Sequence, residues 1–205
     1  MNIRVIGDSV EIDGYVNSIE RNSKPLWSRM GQFIERICKG AFGKALERND
    51  NVRILLNHDK SRDLGGTKDG NLELEEDAIG LRARATITDP EVVEKAKNGD
   101  LVGWSFGFYD RDVECATEPE TSLPLRKVRD LDLEEVSLLD KTKRPAYEGT
   151  LVMVRADEGS IFYGETFEDE IHIREEATEE QLEQPEADEQ IDYGEWESLI
   201  SDMKK

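Results

Sequence analysis

Cysteine and histidine are scarce in this 205-residue chain, with only Cys38, Cys115, His58 and His172. Two thiols do not make a disulfide framework. A structural zinc site would need two more ligands beside the thiols, and those two histidines are the only ones. Both cysteines therefore read as bystanders, and no metal or cofactor is expected. A run of 18 apolar residues is also missing, so no transmembrane helix and no membrane partner are expected. The opening stretch, MNIRVIGDSVEIDGY, alternates apolar with polar residues and lacks the apolar block of a signal peptide, which makes synthesis inside the cell the expectation. Basic charge is in short supply too, at 27 Lys and Arg against 47 Asp and Glu. With a net charge of −20, the chain is poorly suited to gripping phosphates, and nucleic acid is not expected as a direct partner.

The acidic charge is unevenly spread. Residues 156–205 hold 18 acidic and 3 basic residues, whereas the first 155 hold 29 and 24. The front part has an ordinary globular composition. The back part reads as an acidic tail whose residues 156–190 have too little apolar surface to offset the entropy of ordering. At its end, Tyr193, Trp196, Leu199, Ile200 and Met203 recur at three- and four-residue steps, the pattern of an amphipathic helix. The expected division is a folded domain over 1–155 and an acidic linker or tail over 156–205. An acidic mimic of nucleic acid would need its acids on a folded face, which this distribution disfavours.

Local patterns in the front part are mostly those of β-structure. Residues 3–16 read as a strand, 17–32 as a polar loop, and Phe33–Ile37 as a further strand. Ala41–Glu47 reads as a short helix after Gly40. Val52–Leu56 is a continuous apolar, β-branched run, typical of a buried strand. Asp69-Gly70 signals a hairpin between Leu64–Thr67 and Asn71–Glu75. From Gly80 to Ile87 the alternation is strict, with Leu81, Ala83, Ala85 and Ile87 on one face. Asp89-Pro90 opens a helix, with Asp89 as cap and Pro90 where a missing N–H costs nothing; Gly99 closes it. Leu101–Tyr109, Val128–Leu139 and Thr150–Val154 read as strands. The expected fold is mostly β (α+β): an antiparallel β-barrel of about seven strands with a few short helices around it, followed by the flexible acidic tail.

Three places could carry chemistry. His58 ends the apolar strand between Asn57 and Asp59. Those neighbours are good turn formers, so a surface turn explains it; a histidine held by a rigid strand end also suits general-base work. Ser105 lies in Gly103-Trp104-Ser105-Phe106-Gly107. The spelling fits G-x-S-x-G, but strand-like sequence follows where a hydrolase elbow needs a helix. The glycines allow a close backbone approach and can orient N–H groups toward an oxyanion; equally, Ser105 could be a small residue packed among aromatics. The third place is Asp132-Leu133-Glu134-Glu135-Val136-Ser137-Leu138. By strict alternation Glu134, Val136 and Leu138 share one face, and Leu133, Glu135 and Ser137 the other. An acid among apolar neighbours would need a partner if buried, and a histidine base needs an acid to hold its tautomer. Two glutamates on a solvated face are the plainer reading.

In order along the chain stand Phe33-Ile34-Glu35-Arg36-Ile37, Lys39-Gly40-Ala41-Phe42, Leu56-Asn57-His58-Asp59, Leu64-Gly65, Leu74-Glu75-Glu76-Asp77 with Gly80-Leu81, Ser105-Phe106-Gly107-Phe108, Leu133 to Leu138, and Pro145-Ala146-Tyr147. This ordered set, over about residues 3–155, resembles the prohead proteases of tailed phages, which are similar in fold to herpesvirus assemblins. The resemblance implies a serine endopeptidase with Ser105 as nucleophile and His58 as base. It implies cleavage of the scaffolding segment of the major capsid protein, and of the protease itself, inside the immature capsid in the host cytoplasm, with self-association possible. Assemblins use a second histidine as third residue. No histidine stands at that place here, so Glu135 is the expected third member and Glu134 the reserve. Asp140-Lys141-Thr142-Lys143-Arg144 before Pro145 departs from the family pattern; it reads as a solvated loop, or as a basic segment able to hold an anionic intermediate or the acidic tail. From another class, a non-catalytic assembly or scaffold protein with an acidic docking tail fits the same tail.

Overall fold

A computed structural model describes residues 1–28, 30–143, 154–156, 159–163 and 172–176. Among them are thirteen strands and two α-helices. The first sheet contains β1 (Asn2–Ile6), β2 (Ser9–Ser18), β7 (Leu72–Glu76), β8 (Gly80–Ile87) and β13 (His172–Glu176), in the order β13-β1-β2-β8-β7. The first expected strand is in fact the hairpin β1–β2, folded back at Gly7 with φ 56°. Val10, Ile12 and Val16 of β2 and Leu81, Ala83, Ala85 and Ile87 of β8 point inward, following the two-residue period of their sequences.

The second sheet runs β11 (Val154–Ala156), β12 (Gly159–Tyr163), β9 (Leu101–Thr117), β10 (Pro124–Asp140), β4 (Gly31–Ile37), β3 (Leu26–Ser28). Its frame is the antiparallel ribbon of β9 and β10, each 17 residues long. Two strands share the other edge of β10. Its first half pairs in parallel with β4 and its second half in parallel with β5 (Arg53–Leu56). Between β4 and β5 the chain makes helix α1 (Ala41–Arg48), the kind of crossover that a parallel arrangement requires. Finally, β6 (Asp59–Gly66) pairs with β5.

A contiguous core draws on both sheets and both helices. Phe42 of α1 meets Phe106 of β9 edge-on at 5.3 Å, and Phe106 stacks on Phe108 at 5.2 Å. Burying each such ring contributes about 1.5–3 kcal/mol. Helix α1 has no side-chain cap of its own. Instead the carboxylate of Glu76, at the end of β7, accepts from the N–H groups of Gly40 at 2.5 Å and Gly43 at 2.6 Å. An acid at a helix N-terminus is favoured by the free amides and by the dipole. This contact ties the first sheet to the element that delivers β5. Helix α2 (Pro90–Lys97) starts as its sequence requires, with Asp89 accepting from Val92 N–H, and it buries Val92, Val93 and Ala96.

The mostly-β expectation holds, but the described strands form two sheets of five and eight strands, not a closed antiparallel barrel. Parallel pairs (β4–β10, β5–β10, β1–β13) come from connections too long-range for turn signals to reveal. The Asp69-Gly70 signal marks a turn, with Gly70 at φ 77°, yet the flanking segments are no hairpin. There β6 pairs with β5 and β7 with β8, so this turn carries the chain from one sheet to the other. Within the segment read as linker lie two strands: β12 beside β9, and β13, which includes His172, beside β1. Pro145-Ala146-Tyr147 and the expected terminal helix over 193–203 lie outside the described residues.

Candidate active site

One face of the β9–β10 ribbon is committed to the core. Trp104, Phe106 and Phe108 of β9 lie there, opposite Leu138, Val136 and Leu133 of β10. Alternation therefore turns Gly103, Ser105 and Gly107 to the other face. On β10, Leu133 pairs with Phe108 while Glu135 pairs with the next residue of β9, Gly107. Glu134 is thus an extra residue, a β-bulge. Strict alternation would put Leu133 and Glu135 on one face. The bulge instead keeps Leu133, Val136 and Leu138 together in the core and brings Glu135 and Ser137 onto the face of Gly107 and Ser105. Ser137 is paired directly with Ser105.

His58 arrives from the other side of β10. Asn57 and His58 form the two-residue loop between β5 and β6, with φ of 58° and 59°. Positive φ at both central residues is the type I′ pattern. Asn tolerates it; a histidine there is strained and needs surrounding contacts to persist. Those contacts are present. The N–H of Asn57 donates to the carbonyl of Leu138 at 2.8 Å, and its side-chain oxygen accepts from Asp140 N–H at 3.0 Å. The N–H of His58 donates to Ser137 Oγ at 3.1 Å.

The imidazole completes the arrangement. His58 Nδ1 lies 2.6 Å from Glu135 Oε1, and Ser137 Oγ donates to Glu135 Oε2, also at 2.6 Å. Glu135 is 4% exposed and Ser137 fully buried. A buried carboxylate acts as an acceptor, so Nδ1 carries the proton in the neutral ring and the lone pair falls on Nε2. Of the two glutamates, Glu134 is the solvated one, paired with Lys60 at 3.3 Å. Ser105 is itself buried on its strand. The hydroxyl proton of Ser137 is committed to Glu135.

Sequence reasoning passed over Ser137, and the signal available was its position two residues after Glu135, on the same face of a strand. The following Asp140 is buried. Burial opposes its ionisation, but hydrogen bonds from Thr142, Lys95 and Asn57 outweigh that and hold its carboxyl well below the usual range. In the basic segment after it, Lys141 pairs with Asp100 at 2.9 Å. No group of three or more potential metal-ligating side chains occurs among the described residues, and no helix there is long and apolar enough to cross a membrane. Cys38 and Cys115 are free, and burial pushes the Cys38 thiol up, away from the reactive thiolate.

Residues 1–162 match the model of a family described as caudovirus prohead serine protease. No curated protein and no solved structure matches the chain.

Proposed function

Since the chain belongs to the caudovirus prohead serine proteases, we propose that Ser105, His58 and Glu135 form its catalytic triad. Ser105 Oγ attacks the scissile carbonyl carbon while His58 Nε2 takes its proton. The resulting imidazolium gives that proton to the departing amine, and an acyl-enzyme remains. Water, deprotonated by the same nitrogen, then releases the acid and restores Ser105. Glu135 holds the ring in the tautomer that leaves Nε2 free and stabilises the imidazolium. Backbone N–H groups near Ser105 hold the oxyanion. The observation that carries this reading is the 2.6 Å contact of His58 Nδ1 with a buried carboxylate on the strand face that Ser105 shares.

The substrate in this proposal is the scaffolding segment of the major capsid protein, cut inside the immature shell. The protease also cuts itself in the acidic stretch that follows β13, and the apolar residues Tyr193, Trp196, Leu199, Ile200 and Met203 recruit the enzyme to the assembling shell. The test is co-expression with the capsid protein, followed by mass analysis of fragments. Defined fragments that vanish with Ser105→Ala or His58→Ala support the reading. Fragments that persist in both variants overturn the triad, and a lack of any fragment that depends on the chain leaves a non-catalytic assembly protein.

A further inference from the structure

Ser137 has a place in the site that a filler residue would not need. It is fully buried, sits directly across from Ser105, and its hydroxyl uses both of its capacities on the triad. Its proton goes to Glu135 Oε2 at 2.6 Å and its lone pair takes the backbone N–H of His58 at 3.1 Å. One oxygen thereby fixes two things at once. It holds the far oxygen of the carboxylate, so that Oε1 is the one presented to Nδ1. It also holds the backbone of the residue that carries the imidazole, at φ 59°.

Resting on the triad proposed above, we infer that Ser137 is a positioning residue for the reaction, acting through Glu135 and His58 and not through the substrate. Without its hydroxyl, Glu135 keeps a buried oxygen without that donor, and a hydrogen bond to a charged group is among the stronger ones. The carboxylate then turns or takes up a proton. Either change weakens its hold on Nδ1–H, and the imidazole samples the tautomer with the proton on Nε2. That tautomer cannot accept from Ser105. The effect falls on the chemical step, because Ser137 is fully buried and its hydroxyl is spent on Glu135 and His58.

The experiment uses the full chain and a peptide spanning a cleavage site mapped in the capsid protein. Ser137→Ala is expected to lower kcat by about ten- to a hundredfold, the loss of one charge-assisted hydrogen bond, with KM unchanged. Ser137→Thr, which restores a hydroxyl, should recover part of that loss. Ser137→Cys, close in shape but a weak donor, should behave like Ala; it covers the case in which the smaller side chain impairs folding, with circular dichroism as the check. A second readout is independent of turnover. In the Ser105→Ala background, imidazole ¹⁵N shifts should report the Nδ1–H form for the parent and a mixture of tautomers once Ser137 is Ala or Cys. Wild-type kcat in both Ala and Cys variants, or an unaltered tautomer, would overturn the role of Ser137. Loss of that role alone leaves Ser105→Ala and His58→Ala inactive, whereas failure of the triad itself shows as activity in those two.

Discussion

The side-chain oxygen of Asn57 accepts the backbone N–H of Asp140 at 3.0 Å, which fastens the β5–β6 turn to the end of β10. This bond, with the one from Asn57 N–H to Leu138, sets the height at which His58 stands over Glu135. Two substitutions separate the two properties of Asn57. Asn57→Gly keeps the positive φ at no steric cost but removes the acceptor, and Asn57→Ala adds the left-handed penalty of about 1–2 kcal/mol. The Ala variant should therefore be less stable than the Gly variant by about 1 kcal/mol in urea unfolding. Both should lose kcat relative to the parent. Equal stability of the two would mean that the turn relaxes to another geometry.

Glu135→Gln tests the direction of the Nδ1 hydrogen bond. The amide is nearly the same shape, and its oxygen can still accept from Ser137. Its NH₂, however, presents a donor to Nδ1, which favours the tautomer with the proton on Nε2. In a triad of this kind the wrong tautomer costs up to about 10⁴ in kcat. The expected result is a large fall in kcat with KM little changed and a melting temperature near that of the parent. Glu134→Gln, at the solvated position beside Lys60, should leave kcat within about twofold, as surface substitutions do. Similar losses in both would show that the acid has been assigned to the wrong place.

Much of the framework was legible because its signals are local. The alternation of Leu81, Ala83, Ala85 and Ile87 and the Asp89-Pro90 cap need only neighbouring residues to act, and both stand as read. Pairing partners are not local, so Asp69-Gly70 looked like a hairpin although its flanks belong to different sheets. The first five residues of β6 escaped because an edge strand reading Asp-Lys-Ser-Arg-Asp has no hydropathic signature. The bulge at Glu134 is likewise silent: nothing in Leu-Glu-Glu-Val tells which glutamate is the extra residue. The phase error it introduces moved Leu133 to the wrong face, while Glu135 and Ser137 stayed together because both lie beyond it.

Asp140 gives the fold a pH dependence with a definite sign. Its carboxyl is held well below the ordinary value near 3.9 by hydrogen bonds that outweigh burial, including Lys95 of α2 at 3.0 Å. A depressed folded-state value means that the folded state binds the proton less readily than the unfolded one. The stabilisation is therefore complete above the unfolded value and is lost as pH falls below it toward the folded one. Asp140→Asn should destabilise by about 3 kcal/mol at pH 7, the scale of breaking a buried ion pair. Urea midpoints measured from pH 7 down to pH 2 should differ between parent and variant by a constant amount until about pH 4, near the unfolded value, and draw together only below it. A difference that stays constant over that range would remove Asp140 as its source.

The last prediction concerns where the folded unit ends. Strand β12 pairs with β9 at Phe108 and Gly107, two residues from Ser105, and the family match extends to residue 162. A chain ending at 156 lacks β12 and leaves the edge of β9 beside Ser105 with unpaired N–H and C=O groups, an invitation to aggregation. A chain ending at 163 keeps that pairing. Both lack β13, so the comparison isolates β12. Made in the Ser105→Ala background to prevent self-digestion, the shorter chain should melt at least about 3 °C lower, the shift produced by roughly 1 kcal/mol in a domain of this size. It should also scatter more light on concentration. If the two chains melt together and stay equally monomeric, β12 contributes nothing to the fold and the catalytic unit closes before it.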